Sequence, residues 1–331
     1  MPKQLHNRYQ KTFAVAPMMG WTSRHCRYFH RQISRHALLY TEMVTTGAIL
    51  YGEHRRFLQY DDSEHPIALQ IGGGNPNELE KAVTIADAYG YDEINLNVGC
   101  PSDRVQQGNI GAVLMAEPKR VAQCYRAMRN AANPRTKISV KNRLSIDNLP
   151  EHSVFDFVET VANAGCRTFI IHARKAFLQG LDAKANRDVP PLNYELVYQV
   201  KQRFPELEII INGGIKTLDE AKRHYHHVDG VMVGREAYQN PWLLAGVDEL
   251  LGYDSRPLSR QQIIRNMVPY IEREIDKGNH LKQIARHWMG LFHGQRGTRA
   301  FKQHLNDHMN NRNDTAVIEE ALAKLADVSS N

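Results

Sequence analysis

Apolar and polar positions alternate in blocks along the first 250 residues. Short β-branched or apolar runs, typical of buried strands, recur between longer segments with helical spacing. The eight predicted strands are Thr12-Ala16, Leu38-Glu42, Pro66-Ile71, Asp92-Asn97, Thr136-Lys141, Thr168-His172, Glu208-Asn212 and Gly230-Val233. The helical segments between them include Pro76-Tyr89, Pro118-Ala131, Ser153-Ala164, Tyr194-Phe204 and Leu218-His226.

This alternation predicts right-handed parallel βαβ units, and eight of them close into a (β/α)₈ TIM barrel of roughly 250 residues. A doubly wound open sheet is the alternative. It is disfavoured because no GxGxxG motif opens a helix after the first strand, and Gly72-Gly73-Gly74 has the wrong spacing. We therefore expect a catalytic TIM-barrel domain over residues 1–250, with its reactive groups where the strands end.

Beyond about residue 255 the pattern becomes helical, which predicts a second domain, a small helical bundle over residues 255–331. Its four predicted helices are Ser259-Gly278, Asn279-His293, Gly297-His308 and Thr315-Val328. The second of these has an apolar stripe made of Leu281, Ile284, Ala285, Trp288 and Phe292.

This C-terminal part also concentrates positive charge. Residues 277–306 contain no acidic residue, and the basic ones are Lys277, Lys282, Arg286, Arg296, Arg299 and Lys302. They form either a solvated basic face or part of a nucleic-acid groove. A second basic strip, on the first barrel helix, is expected to be solvated, with RNA contact as the alternative; it consists of Arg24, Arg27, Arg31 and Arg35.

Length and charge narrow the class of protein. At 331 residues the chain can bury a large core and exceeds the usual size of one domain. No apolar run approaches the roughly 20 residues of a membrane helix, and residues 1–10 lack the apolar centre of a secretion signal. We expect a cytoplasmic protein without membrane contact. The net charge of +6 indicates a polyanionic partner, although many basic proteins bind none.

One cysteine stands out from the other three. The cysteines are far apart and form no CxxC pair, which argues against a zinc site or a disulfide framework and predicts no metal. Cys124 and Cys166 lie in apolar runs, as structural cysteines do. Cys100 follows a predicted strand in a polar turn between Gly99 and Pro101, where active sites concentrate, and is our first candidate for chemistry.

Polar or flexible residues follow every predicted strand, as active sites at the carboxyl-terminal face of a TIM barrel require. They are Pro17-Met18-Met19, Glu42, Gln70, Asn95-Asn97-Cys100, Lys141-Asn142-Arg143, His172-Arg174, Asn212-Gly213-Gly214 and Gly234-Arg235. Each alone has an ordinary structural explanation. Their convergence on one face predicts a single site.

The loops after strands 7 and 8 indicate a phosphorylated ligand. Gly213, Gly214 and Gly234 let backbone N–H groups approach a phosphate, and Arg235 can add charge. Lys141 and His172 can hydrogen-bond a flat heterocycle that Met18 and Met19 pack against, and this fits FMN better than a sugar phosphate.

These residues resemble the tRNA-dihydrouridine synthase family over nearly the whole chain, in particular its A-type members, which act on D-loop uridines 20 and 20a. The motifs that carry the resemblance are Ala16-Pro17-Met18-Met19, Leu69-Gln70-Ile71-Gly72-Gly73, Asn95-Leu96-Asn97-Val98-Gly99-Cys100-Pro101-Ser102, His172-Ala173-Arg174-Lys175-Ala176 and Asn212-Gly213-Gly214-Ile215. The stretch from Gly180-Leu181 to Pro190-Pro191-Leu192 resembles the A-type subgroup.

The resemblance implies FMN as cofactor, NADPH as co-substrate and tRNA as partner, with no obligatory protein partner. It implies hydride transfer from FMN N5 to C6 of uracil while Cys100 protonates C5. The implied FMN contacts are Pro17, Met18, Met19, Gln70, Lys141, His172, Asn212, Gly213, Gly214, Gly234 and Arg235. The implied RNA contacts are Asn97, at the target uracil, and Lys184, Arg187, Arg299 and Lys302.

Some positions depart from the family pattern. Gly20 and Ser23 stand where acids are expected, and Ser145 replaces a glycine, which puts the packing of the first and fifth loops in question. Three other functions stay open at this point. They are a dihydroorotate-dehydrogenase-like flavin oxidoreductase, a non-catalytic tRNA-binding protein, and a Schiff-base aldolase built on Lys141.

Overall fold

The computed structural model describes residues 11–326 and contains a closed barrel of eight parallel strands, each paired with its neighbours in chain order. The barrel closes where Thr12 to Val15 pair with Gly230 to Val233. The strands are β1 (Thr12–Val15), β2 (Leu38–Thr45), β3 (Ile67–Gly72), β4 (Glu93–Val98), β5 (Lys137–Arg143), β6 (Thr168–His172), β7 (Glu208–Asn212) and β8 (Gly230–Val233). The predicted TIM barrel is confirmed.

Helices cover the outside of the barrel. All five helical segments predicted from periodicity are present, and additional short helices lie between β2 and β3, after β4 and after β8. These helices are α1 (Arg24–Ile33), α2 (Thr46–Tyr51), α3 (His54–Leu58), α4 (Pro76–Asp87), α5 (Asp103–Gln107), α6 (Pro118–Ala131), α7 (Ser153–Ala162), α8 (Tyr194–Arg203), α9 (Leu218–Tyr225), α10 (Arg235–Gln239) and α11 (Val247–Leu250).

Two apolar cores result from this arrangement. The larger lies between the sheet and the helices, and a smaller one fills the barrel, with Tyr40, Ile170, Ile210 and Met232 among its members. Inward-facing residues of a strand recur at every second position. On β4 those positions carry polar side chains, so part of the barrel interior is held by hydrogen bonds instead of apolar contacts.

Four helices follow the barrel: α12 (Arg260–Asp276), α13 (Leu281–Ala285), α14 (Thr298–His308) and α15 (Ala316–Ala326). The single helix predicted over residues 279–293 is wrong, because α13 ends at Ala285 and a 3₁₀ turn over Arg286–Trp288 follows. Its apolar stripe is nevertheless fully buried. The backbone at Gly290 approaches the barrel so closely that a Cβ there would lie 2.0 Å from the Gln239 carbonyl oxygen. The predicted last helix extended to Val328, which lies outside the described residues.

The basic strip on α1 is neither solvated nor free to bind RNA at its centre. Arg27 is buried and its Nε donates to Glu64 Oε2 at 2.7 Å. Arg31 is also buried and donates to backbone carbonyls, including Ala37 O at 2.8 Å. Arg24 pairs with Glu274 of α12. The prediction of a solvated strip is therefore wrong for these residues, because their guanidinium groups tie α1 to its neighbours.

Within residues 11–326, no helix has the length and apolar character needed to cross a membrane.

Candidate active site

A cavity of about 790 Å³ opens at the carboxyl-terminal ends of the strands. This volume is within the range of small-molecule and cofactor sites. Every residue predicted to contact FMN lines it, as do Cys100, Asn97 and Arg187. The strand-end residues that looked ordinary one at a time are thus brought together by closure of the barrel.

Cys100 lies half-buried at the cavity wall, whereas the other three cysteines are buried. Its loop is held at several points. The Oδ1 atom of Asn97 accepts hydrogen bonds from the N–H groups of Gly99 at 3.1 Å and Cys100 at 3.0 Å. Arg143 Nε donates to Gly99 O at 3.1 Å, and Ala112 N donates to Cys100 O at 2.9 Å. The thiol is therefore presented by a fixed backbone.

Three basic side chains, Lys141, Arg143 and His172, line the cavity together. Burial, reinforced by Arg143, lowers the pKa of Lys141 to about 7. Burial also lowers the pKa of Arg143 to about 10. Burial and the neighbouring cations, Arg143 first, hold the pKa of His172 well below its usual range, so its imidazole is neutral. Within the described chain, Lys141 Nζ contacts one acceptor, Asn212 Oδ1 at 3.1 Å, which leaves donor capacity for a ligand.

The loop after β7 depends on its glycines. Gly213 and Gly214 have φ values of 119° and 72°, a region that favours glycine. A Cβ on Gly213 would lie 2.7 Å from His172 Cδ2, and one on Gly214 would lie 2.6 Å from Leu192 Cδ1. Tyr194 OH donates to Gly213 O at 2.7 Å. The loop is therefore both tightly turned and packed against a cavity-lining ring.

Residues 14–327 match the family model described as dihydrouridine synthase (Dus). The chain belongs to the dihydrouridine synthase family. Curated relatives named tRNA-dihydrouridine(20/20a) synthase are similar over nearly their whole length. That of Vibrio cholerae is 52% identical over 316 residues, which covers 94% of this chain and 96% of the relative. That of Escherichia coli K12 is 50% identical over 331 residues, which covers 99% of this chain and 95% of the relative.

Solved structures with the same barrel are more distant. An old yellow enzyme homologue from Zymomonas mobilis aligns with a TM-score of 0.53 at 12% identity, over 75% of this chain and 93% of that one. Morphinone reductase aligns with a TM-score of 0.52 at 12% identity, over 75% and 87% of the two chains. At this identity the likeness establishes the shared fold.

The cavity of this dihydrouridine synthase family member fits an anionic flavin nucleotide by its own chemistry. Burial and neighbouring basic groups depress the pKa values of Lys141, Arg143 and His172, and a bound anionic group would offset that repulsion. Lys141 offers unused N–H donors, and the Gly213 turn brings backbone close to the cavity. Apolar and aromatic side chains, including Met18 and Trp21, also line the cavity, as a flat ring system needs.

The predicted phosphate contact Arg235 has a protein partner in this structure. Its guanidinium makes two hydrogen bonds to Asp188, at 2.7 and 3.1 Å, across the rim of the cavity. Asp188 belongs to the segment after β6 that also carries Arg187, at the rim, and the exposed Lys184. The role of Arg235 at a phosphate stays a prediction.

The remaining predicted RNA contacts lie outside the cavity lining. Arg299 is exposed and Lys302 is half-buried on α14. Neither forms an ion pair with an acid in the part of the chain that the structure describes. Arg265 and Arg312, also in the C-terminal part of the chain, pair in contrast with Glu319 and Glu320. Positive charge on α14 is thus left free for a partner.

Sequence reasoning assigned no role to Trp21, which lines the cavity. Its indole stacks on Tyr238, with ring centroids 4.4 Å apart and planes 13° from parallel. Tyr238 OH lies 3.2 Å from Nδ1 of His287, and Nε2 of His287 lies 2.9 Å from Ser23 Oγ. The signal available in the sequence was the position of Trp21, two residues after the Pro17-Met18-Met19 segment.

Two of the three departures from the family pattern, Gly20 and Ser23, contact the turn after α13. Gly20 has a φ of 74°, and its N–H donates to Glu42 while its carbonyl accepts from Arg286 Nη2 at 3.0 Å. Ser23 takes part in the contact with His287. Ser145 is buried, and its backbone carbonyl accepts from Ala176 N at 2.9 Å. Gly20 and Ser23 thus join the first loop to the turn after α13.

Proposed function

We propose that this protein reduces uridine to 5,6-dihydrouridine at positions 20 and 20a of the D-loop of cytoplasmic tRNA, with FMN in the cavity and NADPH as reductant. The observation that carries the proposal is Cys100, a half-buried thiol on a fixed loop in the wall of a cavity whose lining fits an anionic flavin nucleotide. Relatives that are 50% and 52% identical to this chain are named for this activity and these positions.

Lys141, His172 and the Gly213 loop would hold the cofactor, which supplies hydride when bound and reduced. Cys100 would supply the proton. A thiol that acts as an acid must stay protonated until the substrate has gained negative charge, unlike the thiolate of a cysteine protease. Donors beside Cys100, including the second N–H of Asn97 Nδ2, would stabilise the developing charge on a uracil carbonyl oxygen.

The substrate must leave its base stack to enter the cavity, as for other enzymes that modify nucleobases. Unstacking costs a few kcal/mol, and contacts elsewhere on the RNA have to offset that cost. Arg299 and Lys302, which pair with no acid of residues 11–326, are suited to this task. A flavin oxidoreductase for a small molecule would have no use for them.

The first experiment separates the proton transfer from flavin chemistry. Cys100→Ala should leave NADPH-dependent flavin reduction unchanged and slow uridine reduction by about 10² to 10⁴, the usual contribution of a general acid. Ser102→Ala is the matched control, because Ser102 Oγ lies 3.5 Å from Cys100 Sγ and also lines the cavity. Flavin absorbance after rapid mixing with NADPH measures flavin reduction, and mass spectrometry of the tRNA measures uridine reduction. Parental turnover in Cys100→Ala would reject the acid role.

A second experiment tests RNA binding. Removing Arg299 and Lys302 together should weaken tRNA binding and reduce its dependence on salt by about 1 unit of logarithmic slope for each phosphate that is no longer neutralised. Arg265→Ala is the control, because Arg265 is an exposed cation already paired with Glu319. Flavin content should not change. If the double variant and the control bind tRNA equally, these side chains are not part of the RNA site.

A further inference from the structure

A line of buried polar side chains runs through the barrel away from Cys100. Asn97 Nδ2 donates to Gln70 Oε1 at 2.8 Å, and Gln70 Nε2 donates to Asn95 Oδ1 at 2.8 Å. Asn95 Nδ2 donates to Ser139 Oγ at 2.7 Å, and Ser139 Oγ donates to Glu93 Oε1. Each of these side chains is buried. We call Asn97, Gln70, Asn95 and Ser139 the amide chain.

The two ends of the amide chain are chemically different. At the cavity end, Asn97 faces the backbone N–H groups of Gly99 and Cys100, which can only donate. At the other end lies the Glu93 carboxylate, which when ionised can only accept. Lys137 Nζ lies 3.6 Å from Glu93 Oε2 and 2.6 Å from Glu208 Oε2. Burial lowers the pKa of Lys137, but the two carboxylates outweigh it and the pKa is raised, so a cation lies beside Glu93.

These ends allow only one direction of donation. Because Glu93 only accepts, Ser139 must donate to it and accept from Asn95 Nδ2. Asn95 then presents Oδ1 to Gln70 Nε2, which leaves Gln70 Oε1 to accept from Asn97 Nδ2. Asn97 is left with Oδ1 turned towards the Cys100 loop. Reversal would place the Asn97 amide N–H groups against two backbone N–H groups.

We propose that Glu93, four residues before Asn97 on β4 and roughly 13 Å away along the strand, is a positioning residue for Cys100. Through the amide chain it fixes which atom of Asn97 faces the Cys100 backbone, and so where the thiol is held in the cavity. The inference rests on the proposed function only for the role given to Cys100. The direction of hydrogen-bond donation along the amide chain does not depend on that role.

A double-mutant cycle tests this direction. Asn97→Asp puts a second acceptor-only group at the cavity end, so one hydrogen bond of the amide chain must break. Glu93 Oε1 accepts from Tyr40 OH as well as from Ser139 Oγ. Glu93→Gln removes the conflict, because its Nε2 has two N–H groups, one for Ser139 Oγ and one for the Tyr40 oxygen, while its Oε1 faces Lys137. Every hydrogen bond of the amide chain can then reverse its direction of donation, while the carboxylate introduced by Asn97→Asp still accepts from the Cys100 backbone.

We expect Asn97→Asp to lower the thermal unfolding midpoint at mildly alkaline pH, and the added Glu93→Gln to restore it. Uncoupled residues this far apart are usually additive, so recovery is diagnostic. Alkylation of Cys100 gives a second readout, because the other three cysteines are buried. The rate of Cys100 alkylation should change in Asn97→Asp and return to the parental rate in the double variant. Uridine reduction should fall by about 100-fold in the single variant, as for a misplaced reacting group.

The control is Glu208→Gln. Glu208 is also buried near the same end of the barrel and bonds to Lys137 at 2.6 Å, but it does not touch the amide chain. The proposal would be overturned if the shifts in unfolding midpoint caused by Asn97→Asp and Glu93→Gln simply added in the double variant. It would also be overturned if Glu208→Gln restored the midpoint of Asn97→Asp as fully as Glu93→Gln does. If Asn97→Asp does not fold, Asn95→Asp creates the same conflict at Ser139 away from the cavity lining, and Glu93→Gln should again relieve it. If Cys100→Ala loses uridine reduction but Asn97→Asp and Glu93→Gln show no coupling, the proposed function stands and this inference is rejected.

Discussion

Replacing Gly213 with alanine tests whether the loop after β7 shapes the cofactor site. Two costs follow from the structure. The φ of 119° forces an L side chain into a disfavoured region, which costs roughly 1 to 2 kcal/mol. The new Cβ would also lie 2.7 Å from His172 Cδ2 and 3.1 Å from Leu192 Cδ2, and such overpacking costs about 1 to 3 kcal/mol. Gly213→Ala should therefore lose about 2 to 5 kcal/mol in free energy of unfolding.

The functional effect is expected on flavin binding. His172 is part of the cavity wall, so a displaced ring weakens the site, and each 1.4 kcal/mol of weaker binding raises the dissociation constant about tenfold. The assay is the flavin-to-protein absorbance ratio after dialysis, together with urea unfolding.

The control for this prediction is Gly252→Ala. Gly252 has a φ of 86°, a Cβ there would meet no atom within 4 Å, and it does not line the cavity. This variant bears the backbone strain without the collision. Should Gly213→Ala keep its flavin and unfold at the same urea concentration as Gly252→Ala, the steric argument at His172 would be refuted.

Two further predictions concern buried charge. Arg27→Met should lower the free energy of unfolding by about 3 to 5 kcal/mol, because Glu64 would stay buried without its cation. Arg35→Ala, at an exposed residue just after α1, should change it little, and urea titration compares the two variants. Lys141 has a folded pKa of about 7, below its ordinary value, so the unfolded chain binds the extra proton between about pH 7 and 10.4 and the flavin-free protein should gain stability as pH rises through that window. Lys141→Met should remove that part of the pH dependence, and an unchanged slope would contradict the low pKa.

The barrel and most of the cavity lining were predictable from sequence because both depend on local pattern. Short apolar runs define the strands, and the fold places whatever follows each run at one face. Cys100 and Lys141 could therefore be assigned to a common site without coordinates.

What the sequence could not supply depends on partners distant in the chain. Arg27 and Arg31 look like surface cations on α1 until Glu64 and the carbonyls after α1 are in place. Likewise, the continuation of the predicted helix beyond Ala285 has helical spacing, but contact with the barrel at Gly290 decides its path. The amide chain is invisible for the same reason, since its links join three strands.

The first barrel loop has a consequence for protein engineering. Gly20 accepts from Arg286, Ser23 contacts His287, and Trp21 in the cavity wall rests on Tyr238, which His287 holds. A chimera that exchanged the C-terminal helices between relatives would therefore also exchange the support of a cavity-lining indole. The C-terminal helices and the first barrel loop are therefore not independent modules. A transplant aimed at a new RNA target should carry this loop and the turn after α13 together.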